Sequence, residues 1–227
     1  MTQRPRALDT RVQPTRSATG TQARGDRTRA AIIEETVQCV LEEGFAAASA
    51  SHIAERAGVT WGVIQYHFGD TNGLLAAVIE SGFDGLRANL AAVDIPLGSI
   101  RERLGVLVDA AWTAFSTPTS RASLEILVAT RAGRDAFFTD LLMDMAHELA
   151  RLGAAVVNDP IGKRHSAAIG DLLWAALRGL VLAQMVVQDP VDTSRERAVL
   201  IEVLANYLES LTPTPNDNQP HVTSLTT

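Results

Sequence analysis

Apolar residues recur along this chain at the three- and four-residue steps of a helix, in blocks separated by glycine, proline and Asn/Asp turns. The first block sets Ile33, Val37, Val40 and Leu41 on one side of a helix expected from about Asp26 to Glu43. Gly44 ends it, and Phe45 is expected to fold back beneath the segment that follows. A second long block restarts near Thr71 after Gly69 and Asp70 and aligns Leu74, Leu75, Val78, Ile79, Phe83, Leu86 and Leu90. Gly82 and Gly85 sit inside it, marking close packing or a bend. Pro96 and Gly98 close that block, and further helices are expected near 99–116, 119–131, 134–157, 163–188 and 194–211, the last capped by Ser194. Alternating β-branched runs are missing, so the fold class is all-α.

Between the two long blocks lies SASHIAERAGVTWGVIQYHF, Ser49 to Phe68. Ser49 has the chemistry of an N-cap, and Ile53, Ala54 and Ala57 then share one helical face. Gly58 can leave a helix with positive φ, Val59 can plug the corner, and Thr60 is a second N-cap. A second helix follows from Trp61 to His67, with Ile64 and Phe68 turned inward. Cap, short helix, glycine corner, cap, short helix is the helix-turn-helix pattern, whose second helix lies in a DNA major groove. Residues 25–70 therefore read as a three-helix, homeodomain-like DNA-binding domain.

Charge sharpens that reading. The net charge of −6 alone argues against nucleic acid, but residues 1–29 carry seven arginines against Asp9 and Asp26, a local +5 that leaves −11 elsewhere. Residues 1–24, rich in Thr, Ser, Pro, Gln and Arg, read as a disordered basic arm able to follow a DNA backbone or to do nothing. Residues 212–227 read as a disordered tail. The single cysteine, Cys39, excludes an internal disulfide framework and fits a reducing cytoplasm; Glu42 and Glu43 beside it argue against a reactive thiol. No signal peptide is seen, and Arg178 and Gln184 interrupt the apolar stretch 172–187, which argues against a membrane span.

Ile53-Ala54-Glu55-Arg56-Ala57-Gly58-Val59-Thr60, then Tyr66-His67-Phe68, then Leu74-Leu75 together resemble the tetracycline-repressor-like (TetR/AcrR) family of bacterial regulators over roughly residues 27–80. The resemblance implies an N-terminal reading head followed by a larger helical domain, residues 71–211, that binds a small effector and dimerises. It further implies a repressor that holds a near-palindromic operator as a homodimer joined through the last two long helices. Effector binding would change the spacing of the two heads and release the DNA. Two positions depart from the family: Thr71 stands where a phosphate-contacting lysine is usual, and Gln65 where an aromatic is common.

Gln65 can offer adenine a bidentate amide contact, worth about 1–3 kcal/mol of discrimination. Tyr66 and His67 resemble the family's phosphate-contacting pair. Thr60 can cap its helix and touch a phosphate at that helix's positive end. Trp61 can cover a thymine methyl or a sugar, and Gly62 lets the backbone approach closely. Val63 on the same helix, Thr71 at the next helix start, and Ser49, Ser51 and His52 complete the candidate interface. Plainer readings stand beside these: a solvated glutamine, core packing for Tyr66 and His67, and capping alone for Thr60.

An effector chamber is expected among Trp112, Phe115, Leu124, Leu127, Phe137, Phe138, Leu141, Leu142, Met143 and Met145, with Trp174 and Leu177 from a later helix. Glu125, Arg131, His147, Asp171 and Arg178 could supply polar groups to a hydrophobic effector with a polar or acidic head. The same side chains also suit a plain core. For dimerisation the pattern offers Ile169, Leu173, Ala176, Leu180 and Ala183, then Val199, Val203, Asn206 and Leu211, with the small Ala175, Ala176, Gly179 and Ala183 allowing close helix approach.

An enzyme is not expected. GxxxxGK[ST], HExxH and CxxC are absent, and His52, His67, His147, His165 and His221 are scattered without metal-ligand spacing. No cofactor or metal is expected. The rival reading is an all-helical ligand carrier or adaptor that does not bind DNA.

Overall fold

The computed structural model describes residues 18–132, 139–140, 142–143, 146–147, 163–187, 189 and 191–211. Among them the chain forms α-helices and one 3-10 turn, with no strand. The helices are α1 (Ala18–Glu43), α2 (Ala50–Arg56), α3 (Trp61–Phe68), α4 (Thr71–Ala91), α5 (Ile100–Phe115), α6 (Pro118–Ala129), α7 (Lys163–Met185) and α8 (Ser194–Leu211). The 3-10 turn, Phe45–Ala47, joins α1 to α2. Phe137, Phe138, Leu141, Met145 and most of the helix expected over 134–157 lie outside the described residues, as do residues 1–17 of the expected arm and the tail from 212.

Helix α1 starts at Ala18, well before the Asp26 that apolar periodicity indicates. Residues 18–24 of the expected arm are thus helical. Extending a helix already nucleated by packing adds one backbone hydrogen bond per residue, so a polar overhang follows where the sequence shows no stripe. Helix α5 opens with a capping box that the sequence reading passed over: Ser99 N–H donates to Glu102 at 2.8 Å, and Glu102 N–H donates back to the Ser99 hydroxyl at 3.3 Å. Ser194 does not cap α8. It is the first helical residue, and its N–H and hydroxyl donate to Asp192 at 2.9 and 3.0 Å, which holds that carboxyl below its ordinary range.

Two apolar cores form. Ile32, Val37, Val40, Ile53, Ile64, Leu74 and Ile79 gather with Ala122 and Ile126 of α6. Leu104, Leu107, Val108, Leu173, Trp174, Leu177, Leu204 and Leu208 make the second core. Helix α4 belongs to both, through Leu74 to Ile79 at one end and Leu86 and Leu90 at the other. One continuous helix therefore joins the two cores. Gly82 lies where α4 meets α6, and an added Cβ there would overlap the Ser123 hydroxyl. That hydroxyl donates to the carbonyls of Val78, at 3.1 Å, and Thr119, at 2.7 Å, so close packing, not a bend, explains this glycine. Gly85, by contrast, has open space around it.

The window Ala168–Met185 in α7 is long and apolar enough to cross a membrane by length and composition, despite Arg178 and Gln184. Its Ile169, Leu173, Trp174, Leu177 and Val181 are spent on the second core.

Candidate functional site

The reading head is built as its caps dictate. Ser49 accepts the N–H of His52 at 3.4 Å and starts α2. Gly58, at φ 63°, turns the chain, and Val59 N–H closes the corner on the Ala54 carbonyl at 2.9 Å. Thr60 caps α3 through its backbone carbonyl, which accepts from Val63 at 3.0 Å. Its hydroxyl makes no cap bond and is left for other partners. Asp70, expected only to break the helix, caps α4 by accepting the Gly73 N–H at 2.8 Å.

Helix α3 buries Ile64 completely, packs Val63 and Phe68 against the core, and turns Trp61, Gly62, Gln65 and Tyr66 outward. Full burial of a side chain such as Ile53 or Ile64 contributes about 1.5–3 kcal/mol, so these two residues fix the pose of the helix. Tyr66 is 83% exposed and Trp61 42% exposed, and Gln65, Gly62 and Thr60 are also exposed. Val63 is half-buried against the core. His67 is half-buried, with its ring edge-on to Tyr66 at 5.0 Å and tilted against Phe68 at 6.1 Å. The guanidinium of Arg29 stacks over Phe68 at 5.2 Å, so α1 flanks the end of the recognition helix and carries arginine beside it. Ser49 and Ser51 are exposed and Thr71 is half-buried.

His52 is engaged elsewhere. Its Nε2 lies 2.9 Å from Glu43. Arg56, next to it on α2, pairs with Glu35 at 2.6 Å, with Glu42 at 2.9 Å and with Glu43, tying α2 to α1. Bonds from Arg56 and His52 hold the Glu43 carboxyl below its ordinary range, and the three carboxylates push the Arg56 guanidinium further up. Burial, then the charge of Glu43, raises the Cys39 thiol, so in the absence of a bound cation it is not a reactive nucleophile.

A small, half-open cavity of about 90 Å3 lies between α4, α5, α6 and α7. Of the expected chamber residues, Phe115, Leu124, Leu127, Leu142 and Arg178 line it. Ile79, Gly82, Phe83 and Leu86 of α4 complete the wall, a contribution that sequence patterning assigned to plain core.

The other expected ligand residues lie elsewhere. Trp112 packs on the outer side of α5 under the Arg197 guanidinium, at 4.6 Å. Trp174 is sealed in the core, edge-on to Phe115 at 6.1 Å. Glu125 turns away and accepts the Phe45 N–H at 2.8 Å. Met143 and His147 are exposed, while Leu142 and Ala146, one position earlier, face the cavity. One residue is about 100° of helix rotation, enough to exchange lining for surface. Arg131 donates to the Val128 carbonyl at 2.9 Å, and Asp171 is exposed.

The expected dimer residues divide: Ala175, Gly179, Ala183, Val199 and Val203 are exposed, and others are not. Ile169 and Leu173 are buried within their own subunit, and Asn206 is held by Arg101 at 3.2 Å. The exposed small and apolar stripe of α7 is Leu172, Ala175, Gly179 and Ala183, and that of α8 is Val199, Val203 and Tyr207.

Residues 32–78 match the family model for bacterial regulatory proteins of the tetR family. The chain is 35% identical over 103 residues to an Escherichia coli HTH-type transcriptional regulator BetI, an alignment that spans 44% of this chain and about half, 52%, of that relative. Another Escherichia coli BetI is 27% identical over 197 residues, covering 79% of this chain and 93% of the relative. A TetR-family regulator from Rhodococcus superimposes with a TM-score of 0.63 at 20% identity, over 79% of this chain and 99% of its own. The multidrug binding protein EbrR, solved with imidazole, superimposes with a TM-score of 0.56 at 21% identity, over 82% and 96%. Helix-turn-helix geometry and matched residues agree: residues 32–78 form a DNA-binding domain of the tetR family of bacterial regulatory proteins, carried on an all-helical fold shared with solved TetR-family regulators.

Proposed function

We propose that the chain is a transcriptional regulator that works as a repressor: a homodimer holds a near-palindromic operator, and a small apolar effector with an anionic end releases it. The observation that carries the reading is the outward face of α3, where Trp61, Gln65 and Tyr66 stand free of the core that fixes their helix. Phosphate contacts from Tyr66, Thr60 and Ser51 would position the head, and the Gln65 amide would read a base. The exposed stripes of α7 and α8 support the two-fold assembly, since small residues let helices approach and apolar ones need cover. Arg178 supports the anionic end, because it is the charged residue among otherwise apolar and hydroxyl side chains at the cavity wall. Cytoplasmic location follows from the DNA target.

Selection of bound duplexes from random DNA, followed by a salt titration and a small-molecule screen for release, tests the proposal. Recovery of an inverted repeat, bound with steep salt dependence and released by amphipathic carboxylates, is expected. Recovery of no duplex above background would favour a ligand carrier or adaptor.

A further inference from the structure

Three potential metal donors meet on the inner side of the reading head. Cys39 and Glu43 are four residues apart on α1 and share a face, and His52 arrives from the first turn of α2. The Cys39 sulfur, a Glu43 carboxylate oxygen and a His52 ring nitrogen all lie within 4.8 Å of one another. Spacing in the sequence hides the set, because thirteen positions separate Cys39 from His52 and no paired-cysteine or paired-histidine motif flags it.

We propose that Cys39, Glu43 and His52 form a binding site for a borderline divalent cation of the zinc type, with one coordination position open to water. Thiolate, imidazole and carboxylate are the donor types that zinc takes, and three protein donors plus water is the arrangement of an open site. Tetrahedral bonds of about 2.0–2.3 Å set donor pairs roughly 3.3–3.7 Å apart, so side-chain shifts of about 1 Å close the geometry. His52 Nε2 and Glu43 Oε2 already face each other at 2.9 Å, and a cation would take the place of the proton between them. The other oxygen of Glu43 is held by Arg56, the kind of outer partner that orients a ligating carboxylate. Glu35 and Glu42, both on Arg56, add negative charge nearby. Cys39 is fully buried, while the Glu43 and His52 side chains are 36% and 37% exposed, which leaves an entry from solvent. A bound cation would pin the end of α1 to the start of α2.

The test is titration of the untagged full chain with Co2+, and with Zn2+ against a chromogenic chelator, for the wild type, Cys39→Ser and His52→Gln. The expected result is one cation per chain, with a thiolate-to-cobalt charge-transfer band that vanishes in Cys39→Ser. Affinity should fall at least tenfold in His52→Gln, a change at a partly exposed position, and Zn2+ should raise the melting temperature of the wild type more than that of either variant. Either no uptake by the wild type at tens of micromolar cation, or equal uptake by all three proteins, overturns the proposal.

Discussion

The carboxylate of Glu125 accepts the backbone N–H of Phe45 at 2.8 Å, although the residues are 80 positions apart. Glu125 lies on α6 between Leu124 and Leu127, both of which line the cavity. Phe45 lies in the turn that delivers the chain into α2. One helical turn thus touches the cavity on one side and the turn into α2 on the other. Glu125→Ala leaves a part-buried N–H without its acceptor, which costs about 1–3 kcal/mol. Chemical denaturation should show that loss. Operator binding without effector should persist while effector-driven release weakens, and unchanged release would separate this bond from the response.

Gln65→Ala should lower the preference for operator over scrambled duplex by about 1–3 kcal/mol, with little effect on scrambled DNA. Tyr66→Phe should weaken both duplexes alike. Parallel binding isotherms distinguish the two, and equal loss on both duplexes for Gln65→Ala would remove it as a base reader.

Two glycines of α4 should respond in opposite directions. A Cβ on Gly73 would overlap the Phe68 carbonyl oxygen, so Gly73→Ala should destabilise the reading head by about 3 kcal/mol or more. Gly85 has open space around it, and Gly85→Ala should stabilise α4 by up to about 1 kcal/mol. Thermal melts of the two variants beside the wild type are the measurement.

The Arg56 cluster should make part of the stability acid-sensitive. Glu43 is held below its ordinary value near 4.5 by bonds from Arg56 and then His52. A carboxylate with a depressed folded value contributes stability that is complete above its unfolded value and is lost as pH falls through the folded one. Denaturation midpoints should therefore drop below about pH 4.5 in the wild type and drop less in Arg56→Gln. Parallel pH profiles for the two proteins would remove the cluster from acid sensitivity.

Arg178→Gln should weaken release by carboxylate effectors at least tenfold while sparing neutral apolar ones. Fluorescence titration of effector binding, with operator release measured alongside, reads this directly. Equal weakening for both classes would place the arginine in a structural role, since its Nε already donates to the Trp174 carbonyl at 3.2 Å.

By itself the sequence determined much of what depends on neighbours along the chain, though not the caps of α4 and α5 or the start of α1. Ser49 as cap, Gly58 as corner and the Ile53 and Ile64 stripe are local events, and each appears where its chemistry requires it. The all-α class, the helix-turn-helix and the bounds of α8 follow from the same short-range rules. Tertiary structure decided which side of a long helix meets which neighbour. Leu142 instead of Met143 faces the cavity, and Leu172 instead of Leu173 faces outward. A helix of apolar and small residues offers several adjacent stripes of similar hydrophobicity, and only packing against other helices selects one. Glu125 on Phe45 and His52 beside Cys39 are likewise contacts between separate elements, invisible to any periodicity within one.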